Sequence, residues 1–236
     1  MQDLLDIIRS RQSTRAPYQA GRPLEREHLL QILEAMRWAP SAHNMQNFEV
    51  VVVDDPELIS ALAEIRGEIS PVFLRENYEQ LSQTEEELLT KKVGVLAKMF
   101  PPSWRTLDPS PDDGEERAAM LARALSSSAA FIVVLYDPAR RAPASEGDFL
   151  GIISLGCVMQ NMWLMAHSLG LGVHILSMFG SGSMAEEVKR LLAIPAHLRI
   201  AFAARIGFPF PPSGYLRVRR DLEMFVHHDR FGTRGV

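Results

Sequence analysis

Four short apolar runs set the limits of what this chain can fold into. Residues 48–53, 130–136, 173–176 and 198–206 are rich in β-branched and aromatic side chains, the signature of buried strands. Turn residues end three of them: Asp54-Asp55-Pro56, Asp137-Pro138 and Gly207-Phe208-Pro209. Helical periodicity fills the stretches between. Strands so few, so short and so separated predict a layered α+β or α/β domain around a small central sheet.

The helices can be placed from apolar spacing and from their start and stop signals. Leu4, Leu5, Ile7 and Ile8 form the apolar side of a short first helix. Leu29, Leu30, Leu33 and Met36 predict a second over 25–38, stopped by Pro40. Further helices are expected over 57–65, 115–126 and 149–169. Asp148 is expected to cap the last of these, and Gly170-Leu171-Gly172 to close it. Ser183 with Glu186 reads as a capping box for a helix reaching Leu192. The window 149–176 is the most apolar in the chain. His167, His174 and several glycines within it favour a buried helix and strand over a membrane span. Residues 67–114 differ, mixing Glu-rich helical pieces with proline-rich loops. They read as a lid-like excursion from one single domain spanning 1–236. Phe73, Tyr78, Phe100 and Trp104 would pack it onto the body, with one of them facing a pocket.

Composition narrows the function classes. With 25 basic and 29 acidic residues, the net charge of -4 is close to balance. That disfavours nucleic acid or an acidic membrane surface as the main partner. A lone cysteine, Cys157, allows no internal disulfide and no multi-cysteine metal site, and its apolar neighbours suggest a core thiol. The first residues lack the basic and apolar regions of a signal peptide, so a cytoplasmic location is expected. Dinucleotide, Walker A, zinc-protease and serine-hydrolase signatures are all missing. Gly180-Ser181-Gly182-Ser183 has no lysine to hold a phosphate and reads as a connector. The adjacent His227 and His228 read as a solvated pair.

Three distant segments remain. Arg11-Gln12-Ser13-Thr14-Arg15 offers two guanidinium groups around a hydroxyl. Pro40-Ser41-Ala42-His43-Asn44-Met45-Gln46 is a polar loop between a helix and a strand. Arg217-Val218-Arg219 is a second basic cluster. Each alone is ordinary surface. Together they suit a phosphorylated cofactor, with charge-assisted donors for the phosphate and neutral groups for a ring.

In this chain order they resemble the nitroreductase family of FMN-dependent oxidoreductases. The likeness extends to Asp148 with Gln160-Asn161-Met162, to Leu169-Gly170-Leu171-Gly172, and to Ile206-Gly207-Phe208-Pro209 with the residues after Arg217. It covers nearly all the chain outside 67–114. The resemblance implies an α+β fold with a mainly antiparallel sheet flanked by helices, entwined as a homodimer. It implies that Arg11, Gln12, Ser13 and Arg15 hold the FMN phosphate and ribityl chain, with Arg217 and Arg219 completing the clamp. Pro40, Ser41, Ala42 and Asn44 would reach the isoalloxazine from the other subunit, supported by Gln46. Leu176, Ser177 and Met178 would supply backbone donors near the reactive ring nitrogen. The 149–169 helix would lie at the dimer interface; a core helix of a monomer would be equally apolar. NADH or NADPH would be the reductant, and a nitroaromatic, quinone or similar small molecule the acceptor, in a ping-pong cycle. The flavin would carry the chemistry without a catalytic side chain; His43 is a candidate substrate contact. Two departures bear on substrate: Asn47 stands where many relatives have proline, and Ser177-Met178 where many have Glu-Gly. Reductive dehalogenation, flavin breakdown and a non-enzymatic flavin-binding dimer are the alternatives.

Overall fold

A computed structural model describes residues 3–66, 76, 78–97, 111–211 and 216–234. Its helices are α1 (Leu4–Ser10), α2 (Arg26–Arg37), α3 (Pro56–Glu64), α4 (Glu85–Lys91), α5 (Pro111–Ser126), α6 (Phe149–Ser168) and α7 (Gly182–Leu191). Its strands are β1 (Glu49–Val53), β2 (Ser82–Gln83), β3 (Val95–Leu96), β4 (Ala130–Tyr136), β5 (Gly172–Leu176) and β6 (Arg199–Gly207). The chain divides into two units. Met1–Gly67 and Ala119–Pro211 make the first, Glu68–Ala118 and Pro212–Val236 the second.

The first unit is built on a four-stranded sheet in the order β1-β4-β6-β5, antiparallel throughout. Strand β4 is buried from Ala130 to Leu135, so its two sets of side chains each enter a core. Phe131, Val133 and Leu135 meet Leu62 of α3, Leu125 of α5 and Val188 of α7 on one face. Ile132 and Val134 meet Ile32 and Met36 of α2 and Val158, Met162 and Ala166 of α6 on the other. The result is a helix–sheet–helix sandwich, as the spaced short strands predict.

Local signals account for most element ends. Asp55 caps α3 by accepting from the amides of Glu57 and Leu58, both at 2.9 Å, with Pro56 at the first helical position. Gly170, at φ +76°, closes α6: the Leu171 amide returns to Ala166 O at 2.9 Å and the Gly170 amide to His167 O at 3.0 Å. Two expected caps are not formed. Asp148 stands at the start of α6 with φ 60° and makes no side-chain cap. It follows another left-handed residue, Gly147, and the Ser145 hydroxyl takes the Leu150 amide instead, at 3.1 Å. Helix α7 starts one residue before Ser183, so the Ser183–Glu186 box does not exist. Ser181 precedes that helix and donates to Met178 O at 3.1 Å.

Helix α6 is not buried on every side within one chain. Its C-terminal half carries the buried Val158, Met162 and Ala166, whereas Phe149, Ile152 and Ile153 are 64%, 58% and 47% exposed. It is the one helix among the described residues long and apolar enough to cross a membrane. Its inner face belongs to the core of this unit.

In the second unit, Thr84 and Glu87 form a reciprocal capping box at the start of α4. Strands β2 and β3 pair in parallel, and Lys92 pairs with Asp221. Tyr78 O accepts from the Ser82 hydroxyl. Phe73, Phe100 and Trp104 lie outside the described residues.

One buried polar cluster ties the N-terminal segment to the sheet. After α1 the chain runs beside β5, with Ser13 bridged to Val173, and reaches the end of β6, where Tyr18 bridges to Pro209. The Tyr18 ring lies over Gly172 and Gly207, which face each other across β5 and β6. A methyl group at Gly172 would sit 2.7 Å from the Tyr18 ring, and one at Gly207 2.5 Å from it. The two glycines are therefore the seat of the ring. Next to it lies Arg205, wholly buried. Its Nη2 donates to the carbonyls of Thr14, Arg15 and Ala16 at 3.1, 2.7 and 2.8 Å. Its Nη1 donates to Ala124 O at 2.7 Å and its Nε to His174 Nδ1 at 3.3 Å. The guanidinium also stacks 4.3 Å from the Tyr18 ring centre.

This cluster fixes proton states. Burial first, then the cations Arg205 and Arg15, hold the His174 imidazole down to about 3 from its ordinary 6.5. Since Nδ1 accepts from Arg205, the neutral ring carries its proton on Nε2. Burial pushes the Tyr18 phenol up despite the nearby Arg205 charge.

Two predictions follow from the cluster. Gly207→Ala is expected to destabilise the protein by about 1–3 kcal/mol through overpacking against Tyr18. An unchanged denaturation midpoint would show that the ring does not need the slot. The second concerns acid. Unfolded chain binds the His174 proton below about pH 6.5, whereas the fold refuses it until about 3. The contribution is thus constant above 6.5 and lost progressively as pH falls towards 3, by at most about 1.4 kcal/mol per pH unit. Urea titrations of His174→Gln should show a shallower loss across that window; a slope equal to wild type would contradict the assignment.

Candidate functional site

The residues from Arg11 to Arg15 leave α1 and adopt an extended course because β5 offers them partners. The Thr14 amide donates to Val173 O at 2.9 Å, and Ser13 is bridged to Val173 in parallel. Helix α6 holds the start of the segment. Trp163 donates through its indole to Gln12 O at 3.3 Å, and the Arg11 guanidinium lies 4.4 Å from the Trp163 ring centre. Arg15 is exposed, while Arg11, Gln12 and Ser13 are half-buried. The segment therefore presents cationic and hydroxyl donors at the surface along one sheet edge.

The same edge leads to the second group of expected site residues. Three residues beyond Val173 along β5 comes Leu176, followed by a 3-10 turn over Ser177–Gly180. At about 3.3 Å per residue, the strand carries the chain roughly 10 Å from the Ser13 bridge to this turn. Leu176 is buried in the core, so only its backbone is available outward. Ser177 is exposed and Met178 half-buried. Phe179 anchors the turn, stacking on Phe131 with ring centres 6.1 Å apart.

The 40–46 loop is held in an unusual shape. His43, Asn44 and Gln46 have φ of 50°, 53° and 45°, a region that asparagine and histidine visit more readily than glutamine. Hydrogen bonds impose the shape. Asn44 N donates to Ser41 O at 3.0 Å, Gln46 N to Ser41 Oγ at 3.1 Å, and Gln46 Nε2 to Asn44 Oδ1 at 3.0 Å. Ala42 N donates to Ser154 Oγ of α6 at 3.0 Å. Pro40, His43, Asn44 and Gln46 are exposed; Ser41 and Ala42 are half-buried.

Within one chain, the structure does not bring this loop to the Arg11–Arg15 segment. The loop is fastened to α6 at Ser154 and the arginine segment at Trp163. Those anchors lie nine positions apart on the helix, about 13 Å along its axis. Arg217 and Arg219, both exposed, belong to the second unit. The Arg219 guanidinium donates to Val218 O at 2.7 Å.

Asn47 has a role that proline could not fill. Its Nδ2 donates to Asp137 O at 2.9 Å and Arg140 O at 2.8 Å, and its Oδ1 accepts from the Asp137 amide at 3.2 Å. The loop is thus tied to the turn after β4. His227 and His228 gather no metal set: His227 Nδ1 accepts from the Gly232 amide at 2.8 Å, and His228 lies 3.3 Å from Asp229. Among the described residues there is no group of three metal-ligating side chains. Cys157 is half-buried against the α6 core.

Sequence reasoning missed Tyr18, Trp163, His174 and Arg205, which hold the site rather than face a ligand. One signal was present: Arg205 is a charged residue inside the otherwise apolar run 200–206. A strand that buries a cation there must supply it with partners.

The donor set suits an anionic ligand with further polar groups along its length. Arg15 and Ser13 stand at one end, and the Ser177–Gly180 turn stands roughly 10 Å along β5.

Comparison with known proteins agrees with the fold. An FMN-dependent nitroreductase from Clostridium difficile superposes with a TM-score of 0.59 at 17% identity, covering 96% of this chain and 99% of that one. Nitroreductase A from Vibrio parahaemolyticus gives 0.60 at 20% identity, covering 100% of this chain and 79% of that one. A nitroreductase candidate from Desulfovibrio desulfuricans, solved in complex with FMN, gives 0.56 at 22% identity over 98% and 99%. At these identities the likeness speaks to the fold. The Nitroreductase family model matches residues 8–208, from the last turn of α1 to just past β6, and the chain belongs to the nitroreductase family.

Proposed function

We propose that this oxidoreductase is a cytoplasmic, FMN-dependent homodimer. It takes electrons from NADH or NADPH and passes them to a nitroaromatic, quinone or similar acceptor in a ping-pong cycle. The observation that carries this reading is the run of the Arg11–Arg15 segment along β5, because it aligns anion donors with the backbone of the Ser177–Gly180 turn. When bound, FMN supplies the two-electron transfer itself.

The residues have the following parts. Arg11, Ser13 and Arg15 hold the phosphate and ribityl chain with Gln12, and Arg217 and Arg219 complete the clamp. Backbone groups of Leu176, Ser177 and Met178 meet the ring. Pro40, Ser41, Ala42 and Asn44 reach the ring of the partner's site, and Gln46 braces them through Asn44. The separation of the two anchors on α6 supports this exchange, because one chain keeps its loop away from its own arginines. The exposed apolar face around Phe149, Ile152 and Ile153 supports a dimer with α6 at its interface. The near-balanced charge supports small molecules as partners, with neither nucleic acid nor membrane. Substrate choice is assigned to residues 67–114 as a lid within a single domain, and His43 to a substrate contact.

The visible spectrum of the purified protein tests the cofactor. A yellow protein that bleaches anaerobically with NADH or NADPH is expected. One that stays yellow would refute the reductant and favour reductive dehalogenation or flavin breakdown. A colourless protein that takes up no added FMN would refute the cofactor. The dimer has its own test in sedimentation equilibrium. Wild type should sediment at twice the chain mass, and Ile152→Lys/Ile153→Lys should shift towards monomer and lose flavin. A variant that remains dimeric would remove α6 from the interface.

A further inference from the structure

Arg205 is a buried cation with no acidic partner among the described residues. Each neighbour that it touches is neutral: the carbonyls of Thr14, Arg15, Ala16 and Ala124, the Tyr18 ring and the His174 imidazole. A second cation, Arg15, acts on the same His174 imidazole. A guanidinium buried without a counter-ion is costly. Its charge is therefore available to an anion bound close by.

The way that Arg205 is satisfied also sets the direction of the backbone. Three successive carbonyls converge on one nitrogen, so the segment curls around the guanidinium. In a trans peptide the N–H points opposite to the carbonyl. Turning the Thr14 and Arg15 carbonyls inward therefore turns the Arg15 and Ala16 amides outward. Residue 17 is proline, so the third carbonyl has no amide behind it. Neither outward amide has a hydrogen-bond partner among the described residues. Arg15 and Ala16 are both exposed. An exposed amide with no internal partner is a donor available to an oxyanion.

We propose that Arg205 is a positioning residue for the flavin phosphate: it curls residues 14–16 around its guanidinium, aims the Arg15 and Ala16 amides at the phosphate, and adds its own unpaired charge. This rests on the assignment of FMN to the Arg11–Arg15 segment. It adds two backbone donors and a buried cation to that site, none of which the side-chain motif contains.

The test compares FMN with riboflavin, which has the same ring and ribityl chain but no phosphate. Affinities are measured by flavin fluorescence on apoprotein for wild type, Arg205→Met and Arg205→Lys. Methionine removes the charge. Lysine keeps it, but its ammonium cannot span the contacts that the guanidinium makes on both sides. Arg205→Met should bind FMN about 10- to 100-fold more weakly, the scale of a lost charge-assisted contact, and bind riboflavin as wild type does. Arg205→Lys should fall between, again for FMN alone; it carries the comparison if near-UV circular dichroism shows that the methionine variant is unfolded. Parallel losses for both flavins would reduce Arg205 to a structural residue and overturn the inference. Hydrogen exchange on wild type gives a second reading that needs no variant. The Arg15 and Ala16 amides should slow with FMN and not with riboflavin, and equal exchange with both would overturn the donor assignment. Wild type that binds FMN no better than riboflavin would instead refute the phosphate site itself. That outcome is separate from an intact FMN preference that survives loss of Arg205.

Discussion

The satisfaction of one buried guanidinium organises this end of the molecule. Arg205 sits on β6 among apolar neighbours, where a cation is stable only if its donors all find acceptors. It finds them in three places at once: the end of α5, strand β5 and the segment after α1. That segment has few apolar side chains of its own to hold it down. Its course is set by what Arg205 requires, by the Tyr18 ring and by the edge of β5. The neutral state of His174 is part of the same arrangement, since a protonated ring would place a second cation against the first.

Helix α6 gives the molecule its other constraint. Its C-terminal half is ordinary core, locked to α2 by the Asn161 side chain, which donates to Ala35 O at 2.9 Å. Its N-terminal half has the composition of core without the burial. The two ends also differ in what they anchor: the 40–46 loop near one, the arginine segment near the other. In the proposed dimer, a two-fold axis across this helix would bring one chain's loop to the other chain's arginines.

Much of this architecture was legible in the sequence because periodicity reports burial. The strands at 130–136 and 198–206 stand within a residue of their expected limits, and the helices within a few. Caps were less legible. Asp148 and Ser183 have the right side chains, but capping needs a backbone geometry that flanking residues decide, and Gly147 and Ser181 decided otherwise. The motif residues Arg11 to Arg15 were visible as chemistry. Their support was not, because Tyr18, Trp163, His174 and Arg205 act through contacts far apart in sequence. The sense of Asn47 was equally hidden, for its partners Asp137 and Arg140 lie some ninety residues away.

The facing glycines under Tyr18 have a consequence for strand order. Gly172 is opposite Gly207, and their neighbours Val173 and Ile206 are opposite each other. If β5 slid by one residue against β6, a branched side chain would enter the space that the phenol ring fills. The ring thus acts as a gauge that admits only one alignment of the two strands. A misaligned sheet would leave the tyrosine unable to close on its slot.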